Sequence, residues 1–185
     1  MRFVNARVNA VAVEALRLSA GEHVVEIGCG PGHALKLLLA SSPDATVTGI
    51  DHSAVMIGQA AALNAKALRE GRLTLLSGDF TDLPFASQTV DAVLAVNVAY
   101  FMQGAQALAE ARRILRPGGR IVVYVTHTLS MRSWRFAGPH THRLFDEHAI
   151  GGMLASAGFL QSEIEVRTVD AGFGIKGLIA KARMT

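Results

Sequence analysis

Apolar and polar residues follow two different periods along this chain. Val8, Val11, Ala12, Ala15 and Leu16 recur every three or four positions, which predicts a leading helix within residues 1–20 with one apolar face. HVVEIG, from His23, predicts a buried strand between Gly21 and a glycine-rich turn. Helical spacing returns from His33 to Ser41 and ends near Pro43. ATVTGID predicts a second strand, after which Ser53 is placed to cap a helix that runs towards Glu70 and is closed by Gly71. RLTLLSGDF and DAVLAVNV predict the third and fourth strands, GAQALAEARRIL a helix, and GGRIVVYVT a fifth strand. Parallel neighbours in such an alternation need crossover connections. The expected fold is therefore α/β, a Rossmann-like, doubly wound and mostly parallel sheet with helices on both faces.

The last third departs from strict alternation. Asp146 is placed to cap a helix through Ala157, which Gly158 terminates. QSEIEVRTV and FGIKGLIAKA follow so closely on one another that they must pair as a C-terminal antiparallel hairpin. No repeat, low-complexity segment or linker interrupts the pattern, and residues 1–185 are expected to form a single domain. The longest irregular stretch, residues 127–143, is the expected substrate loop or lid, because so long a loop in a compact domain often carries function.

Composition narrows the possible functions. Hydrophobic residues make up 50% of the chain, enough for a sizeable core. The 18 Lys and Arg against 15 Asp and Glu leave a formal charge of +3 that is scattered rather than clustered, so nucleic acid is not an expected partner. Cys29 is the only cysteine, which excludes a disulfide framework and a multi-cysteine zinc site and fits a reducing compartment. His140 and His142 have no clear third ligand, so no metal is expected. No apolar run is long enough to span a bilayer, and MRFVNARVNA lacks the apolar core of a signal peptide. The expected setting is cytoplasmic.

Candidate chemistry begins at EIGCGPG, where Gly28, Gly30 and Gly32 follow the first predicted strand. A tight turn into a helix needs residues that tolerate unusual backbone angles, and a ligand lying against the backbone needs positions without side chains. The helix that follows offers unpaired N–H groups. His33 stands where the dinucleotide fingerprint G-x-G-x-x-G has its third glycine, so the pattern here is G-x-G-x-G. Asp51, at the end of the second predicted strand, is where doubly wound folds place an acid that accepts from ribose hydroxyls. Together these predict a ribose site for an adenosyl or nicotinamide ligand.

The ordered series EIGCGPG, GID, GDF, DAVLAVNVAYF and LRPGGRIVV resembles the class I S-adenosylmethionine-dependent methyltransferases, particularly the small-molecule branch that includes quinone-biosynthesis enzymes. The resemblance covers about residues 22–126, and the final hairpin is similar to that family's antiparallel strand pair. It implies S-adenosyl-L-methionine as cofactor and a small-molecule acceptor methylated by in-line displacement. It further implies that Glu26, Gly28, Cys29, Gly30 and Gly32 form the turn that holds the methionine part, Cys29 mainly through its backbone. By the same likeness, Asp51 grips the ribose diol and His52 and Met56 pack around ribose and adenine. Asp79 and Phe80 match the pair that reads adenine, and Asn97 and Val98 fall where backbone groups meet the cofactor's amino group.

The acceptor is less well defined. Residues near the methyl are expected from Val98 to Met102 and from the 127–143 loop. Two of them are candidate catalytic groups: Tyr100, as a group that orients or deprotonates the acceptor, and His127, as a general base that titrates near neutral pH. The bland alternatives are a pocket wall for Tyr100 and a loop histidine bonded to backbone for His127. Arg132, Trp134 and Phe136 fit a lid with aromatic and cationic contacts. VNVAY replaces the N/D-P-P-Y/F segment of amino-methylating nucleic-acid enzymes, and no inserted recognition domain is seen, which favours a modest-sized acceptor. The pocket is then open, or closed by the loop or by a second subunit of a homodimer. Two other functions remain open at this point, an NAD-dependent oxidoreductase and a cofactor-binding protein without turnover.

Overall fold

Side chains alternate between the two faces of each strand, and this decides which helix every strand residue meets. The computed structural model describes residues 2–132, 134 and 143–185. Its helices are α1 (Arg2–Leu16), α2 (His33–Ser41), α3 (Ala54–Leu63), α4 (Ala65–Arg69), α5 (Gln106–Ile114), α6 (Thr128–Met131) and α7 (Glu147–Ser156). Its strands are β1 (His23–Ile27), β2 (Thr46–Asp51), β3 (Leu73–Ser77), β4 (Val90–Val96), β5 (Leu115–Thr126), β6 (Ile164–Asp170) and β7 (Lys176–Arg183). They form one sheet in the order β3-β2-β1-β4-β5-β7-β6. β1 to β5 pair in parallel, and β7 lies antiparallel between β5 and β6, so the Rossmann-like expectation and the terminal hairpin both hold.

Each face of the sheet has its own core. Val24, Leu94, Tyr124 and Ile179 pack with Val8 and Leu16 of α1 and Leu35 and Leu38 of α2. The alternate residues Val25, Val93 and Val123 pack with Leu108 and Ile114 of α5 and Leu154 of α7. Coverage on both faces explains why β1, β4 and β5 read as apolar runs instead of alternating with polar residues.

Several element boundaries differ from the expectation. The helix expected from Ser53 to Glu70 breaks at Asn64 into α3 and α4, because the buried Asn64 amide donates to the carbonyls of Gly32 and Ala60 at 3.1 and 3.0 Å. β3 ends at Ser77, which leaves Gly78, Asp79 and Phe80 in a loop beyond it. Leu115 belongs to β5 instead of the preceding helix. Within the expected long loop, residues 128–131 form α6, while Phe136, His140 and His142 lie outside the described residues.

The parallel strands all end at one rim. β1 stops before Gly28, β2 at Asp51, β3 at Ser77 and β4 before Asn97, which a 3₁₀ turn over Ala99–Phe101 follows. β7 reaches its place beside β5 at the same end because Gly177, the register partner of Thr126, has no Cβ to strike the Tyr124 hydroxyl and ring. The Tyr124 side chain is fully buried and cannot swing into solvent. Gly177→Ala is expected to lower unfolding free energy by roughly 1–3 kcal/mol through overpacking. Chemical denaturation measures this, and a change below about 0.5 kcal/mol would mean that Tyr124 does not pack there.

Candidate cofactor and substrate cleft

The glycine turn is held from β2. The N–H groups of Gly28 and Cys29 both donate to the Ile50 carbonyl, at 2.8 and 3.0 Å, and Gly32 N–H donates to Cys29 O at 3.0 Å. Gly28 has φ 69°, and a Cβ there would overlap the Val98 side chain, so only glycine satisfies both the turn and the close approach of the segment after β4. Gly32 begins α2 against α3, where a Cβ would lie 2.7 Å from Asn64 Nδ2 and 2.9 Å from Ala60 Cβ. The close helix packing that the dinucleotide fingerprint assigns to its third glycine thus falls to Gly32, one position earlier, and His33 is exposed. A Cβ on Gly30 would meet nothing within 4 Å, so its backbone is open to a ligand.

A cleft of about 570 Å³ opens at this rim. Gly28 forms its floor. Asp51 and His52 at the end of β2, Ser77 to Phe80 at the end of β3, and Asn97, Val98 and Phe101 after β4 form its walls. Asp51 is only 5% exposed, and its carboxylate is fixed by two backbone donors, Gly30 N–H at 2.9 Å and Ser53 N–H at 2.9 Å. Each oxygen keeps lone-pair capacity for a second donor. His52 and Phe80 stand edge to face with centroids 6.2 Å apart. Asp79 is exposed, and the Thr81 backbone N–H bonded to it, helped by the Thr81 side chain, holds its carboxyl below the ordinary range. The lining therefore carries two carboxylates and, among the described residues, no lysine or arginine.

Other predicted site residues lie behind the cleft wall. Glu26 is 2% exposed and one of its oxygens, Oε2, has no partner among the described residues. Burial pushes its pKa well above the ordinary 4.5, the Asp51 charge adds to this, and the Leu35 N–H at the start of α2 opposes it. Cys29 is buried, and burial followed by the charges of Glu26 and Asp51 pushes its thiol far up, so it is not a nucleophile. Met56 lies half-buried in the first turn of α3 with its N–H on the Ser53 cap, and its side chain is not part of the lining.

Neither predicted catalytic group lines the cleft. The Tyr100 hydroxyl donates to Asn97 Oδ1 at 2.9 Å and accepts the Thr126 N–H, and burial raises its pKa. His127 is buried and caps α6: its Nδ1 accepts from Leu129 N–H at 3.0 Å, which places the proton on Nε2, 3.2 Å from Glu147 Oε2. Both ring nitrogens are thereby occupied, as in the bland alternative. Ser77 and Gly78 line the cleft unexpectedly, hidden in the sequence by a run, RLTLLSGDF, that reads as one uninterrupted strand.

A carboxyl with a raised folded pKa contributes stability that is complete below its unfolded value and is lost as pH rises through the folded value. The melting temperature is accordingly expected to fall above pH 4.5 more steeply in the native sequence than in Glu26→Gln. Parallel curves over that window would show that Glu26 ionises like a solvated carboxyl.

The comparisons with known proteins agree with this geometry. A family model described as a methyltransferase domain matches residues 25–123, from β1 to β5. An uncharacterised 37.1 kDa protein in transposon TN4556 of Streptomyces fradiae is 31% identical over 176 residues, covering 92% of this chain and 48% of its own length. The ubiquinone/menaquinone biosynthesis C-methyltransferase UbiE of Syntrophotalea carbinolica is 34% identical over 121 residues, 65% of this chain and 50% of that protein. The chain thus spans about half the length of these relatives. In fold, a chain from the Haloferax volcanii complex between the Trm112 methyltransferase activator and a methyltransferase superposes with a TM-score of 0.82 at 21% identity, over 96% of this chain and 88% of that one. With the family model matched across the glycine turn and all the strand ends that form the cleft, this chain belongs to the methyltransferase-domain family.

Proposed function

We propose that this chain binds S-adenosyl-L-methionine in the cleft and directs its methyl group to a small-molecule acceptor by in-line displacement. The observation that carries this is the charge of the lining, where Asp51 and Asp79 face the opening with, among the described residues, no lysine or arginine beside them and the His52 imidazole 3.6 Å from Asp51. Such a site favours a cationic adenosyl ligand and disfavours the pyrophosphate of NAD, which needs a positive or N–H-rich cradle. When bound, the cofactor supplies an electrophilic methyl on a sulfonium.

The chain's own residues bind and orient. Asp51, already held by two backbone donors, accepts from the ribose hydroxyls. Phe80 and His52 form an edge-to-face pair at the adenine end, and Asp79 accepts from the exocyclic amine. Gly28 lines the cleft and Gly30 presents open backbone to the methionine part. Alignment of this kind can account for about 7–11 kcal/mol of a bimolecular barrier. Tyr100 and His127 hold the rim through their hydrogen bonds and act on the acceptor only through it. A small-molecule acceptor is supported by the UbiE relative, whose name places it in quinone biosynthesis.

Calorimetry with S-adenosylhomocysteine and with NAD separates the two cofactor classes. Binding of the first in the micromolar range with none of the second is expected, and the reverse overturns the proposal. Asp51→Ala should weaken S-adenosylhomocysteine by roughly 1.5–3 kcal/mol, and Asp79→Ala should weaken it in the same direction but less, because its carboxylate is exposed. If both variants bind within about twofold of the native protein, less than ~0.5 kcal/mol, the pocket is misassigned. Tight cofactor binding with no turnover on any of a broad panel of phenols, quinols and carboxylic acids would instead identify a non-catalytic cofactor-binding protein.

A further inference from the structure

β6 holds one edge of the sheet. Among the described residues β7 is its only strand neighbour, and the ladder between the two runs from Ile164 to Asp170 without a bulge or a proline. Its outer row of backbone N–H and C=O groups is a template for another strand. One face of β6 is already spent, since Ile164 and Val166 pack on the core that Met153 and Leu154 of α7 complete. Glu165 and Arg167 alternate with them and point to the other face, where a groove of about 1060 Å³ opens between β6, β7 and α1. Both are exposed, and neither is in a salt bridge among the described residues.

Two copies of an antiparallel strand related by a two-fold axis must set one residue opposite itself, so each closed register is named by its central residue. Centring on Ile164, Glu165 or Arg167 brings like charges face to face, and centring on Thr168 leaves both charges without a counterpart. Centred on Val166, every charge meets its opposite. Glu165 then faces Arg167 of the second copy and Arg167 faces its Glu165, both on the open side of the sheet, while Val166 meets Val166 on the α7 side. Lys181, the β7 partner of Glu165, extends this row, so positive, negative and positive groups alternate across the joined sheets. The strand ends agree with the centre. Leu160 precedes β6 and is 55% exposed, and Phe173 follows it, 84% exposed and held at φ 56°, a backbone that bulky residues seldom adopt. Antiparallel pairing brings the Leu160 of each copy to the end where Phe173 of the other stands. The opposite edge, β3, reads LTLLS and has no charge to select a register.

We infer that the β6 edge is a homodimer interface, on which two copies of this chain pair antiparallel about Val166 with reciprocal Glu165–Arg167 pairs and a Leu160–Phe173 contact at each end. Backbone hydrogen bonds across the new ladder supply the attraction, and the charges select the partner and the register. None of these residues lines the cleft, so the dimer depends neither on the cofactor nor on methyl transfer.

Sedimentation velocity on the native chain should show a reversible dimer, populated at about 100 µM or below. Glu165→Arg and Arg167→Glu each set like charges at both central pairs and should raise the dissociation constant about tenfold or more. Mixing the two variants restores opposite charges at both pairs, and the mixture should form a heterodimer within about threefold of the native affinity. The rescue is its own folding check, because a chain that had failed to fold could not recover its partner, and melting temperatures confirm each variant separately. A native chain that stays monomeric at about 100 µM overturns the dimer and leaves the charges as a device that keeps the edge unpaired. A dimer that both single variants preserve means that the copies meet on another face. Failure of the mixture to associate, with each variant folded and monomeric, rules out the Val166 register. Either of these results overturns the assignment as well.

Discussion

The Ile50 carbonyl accepts the N–H groups of Gly28 and Cys29 together, and through it the end of β1 is clasped to the end of β2. The glycine turn cannot swing away from the second strand while both bonds hold. Gly30 N–H is consequently brought to the Asp51 carboxylate, which gains from it and from Ser53 the two donors that a nearly buried anion requires. Cofactor geometry is in this sense a by-product of how two parallel strands finish. Each further wall of the cleft is placed relative to that junction.

The opposite wall is fixed by a close approach. Because Gly28 lacks a side chain, Val98 reaches the turn, and the residues that follow β4 line the same opening as the ends of β1, β2 and β3. Electrostatics then select the ligand. Asp51 and Asp79 face the opening, and Glu26 adds a third carboxyl just behind, where burial favours its neutral form. The two lining carboxylates, with no lysine or arginine among the described lining residues, would repel a pyrophosphate and welcome a sulfonium and an ammonium.

Tyr100 and His127 show how the fold commits polar side chains to its own backbone. Both have chemistry suited to proton transfer, and both are spent on satisfying buried backbone groups, Thr126 N–H for the tyrosine and Leu129 N–H for the histidine. A buried polar side chain usually has this kind of obligation before any other.

Local order was legible from the chain itself. The two hydrophobic periods, the glycine turn, the acids at strand ends and the close spacing of the last two strands depend on neighbours in sequence, so they specified the parallel sheet, the rim of strand ends and the terminal hairpin. What required the tertiary structure were pairings between distant groups. Asn64 breaks its helix because Gly32 lies across from it, Gly177 is needed because Tyr124 covers it, and β3 ends at Ser77 so that Ser77 and Gly78 meet the cleft. Which polar atoms face the ligand was decided in the same way, since a hydrogen bond is settled by what lies 3 Å away in space, and periodicity carries no information about that.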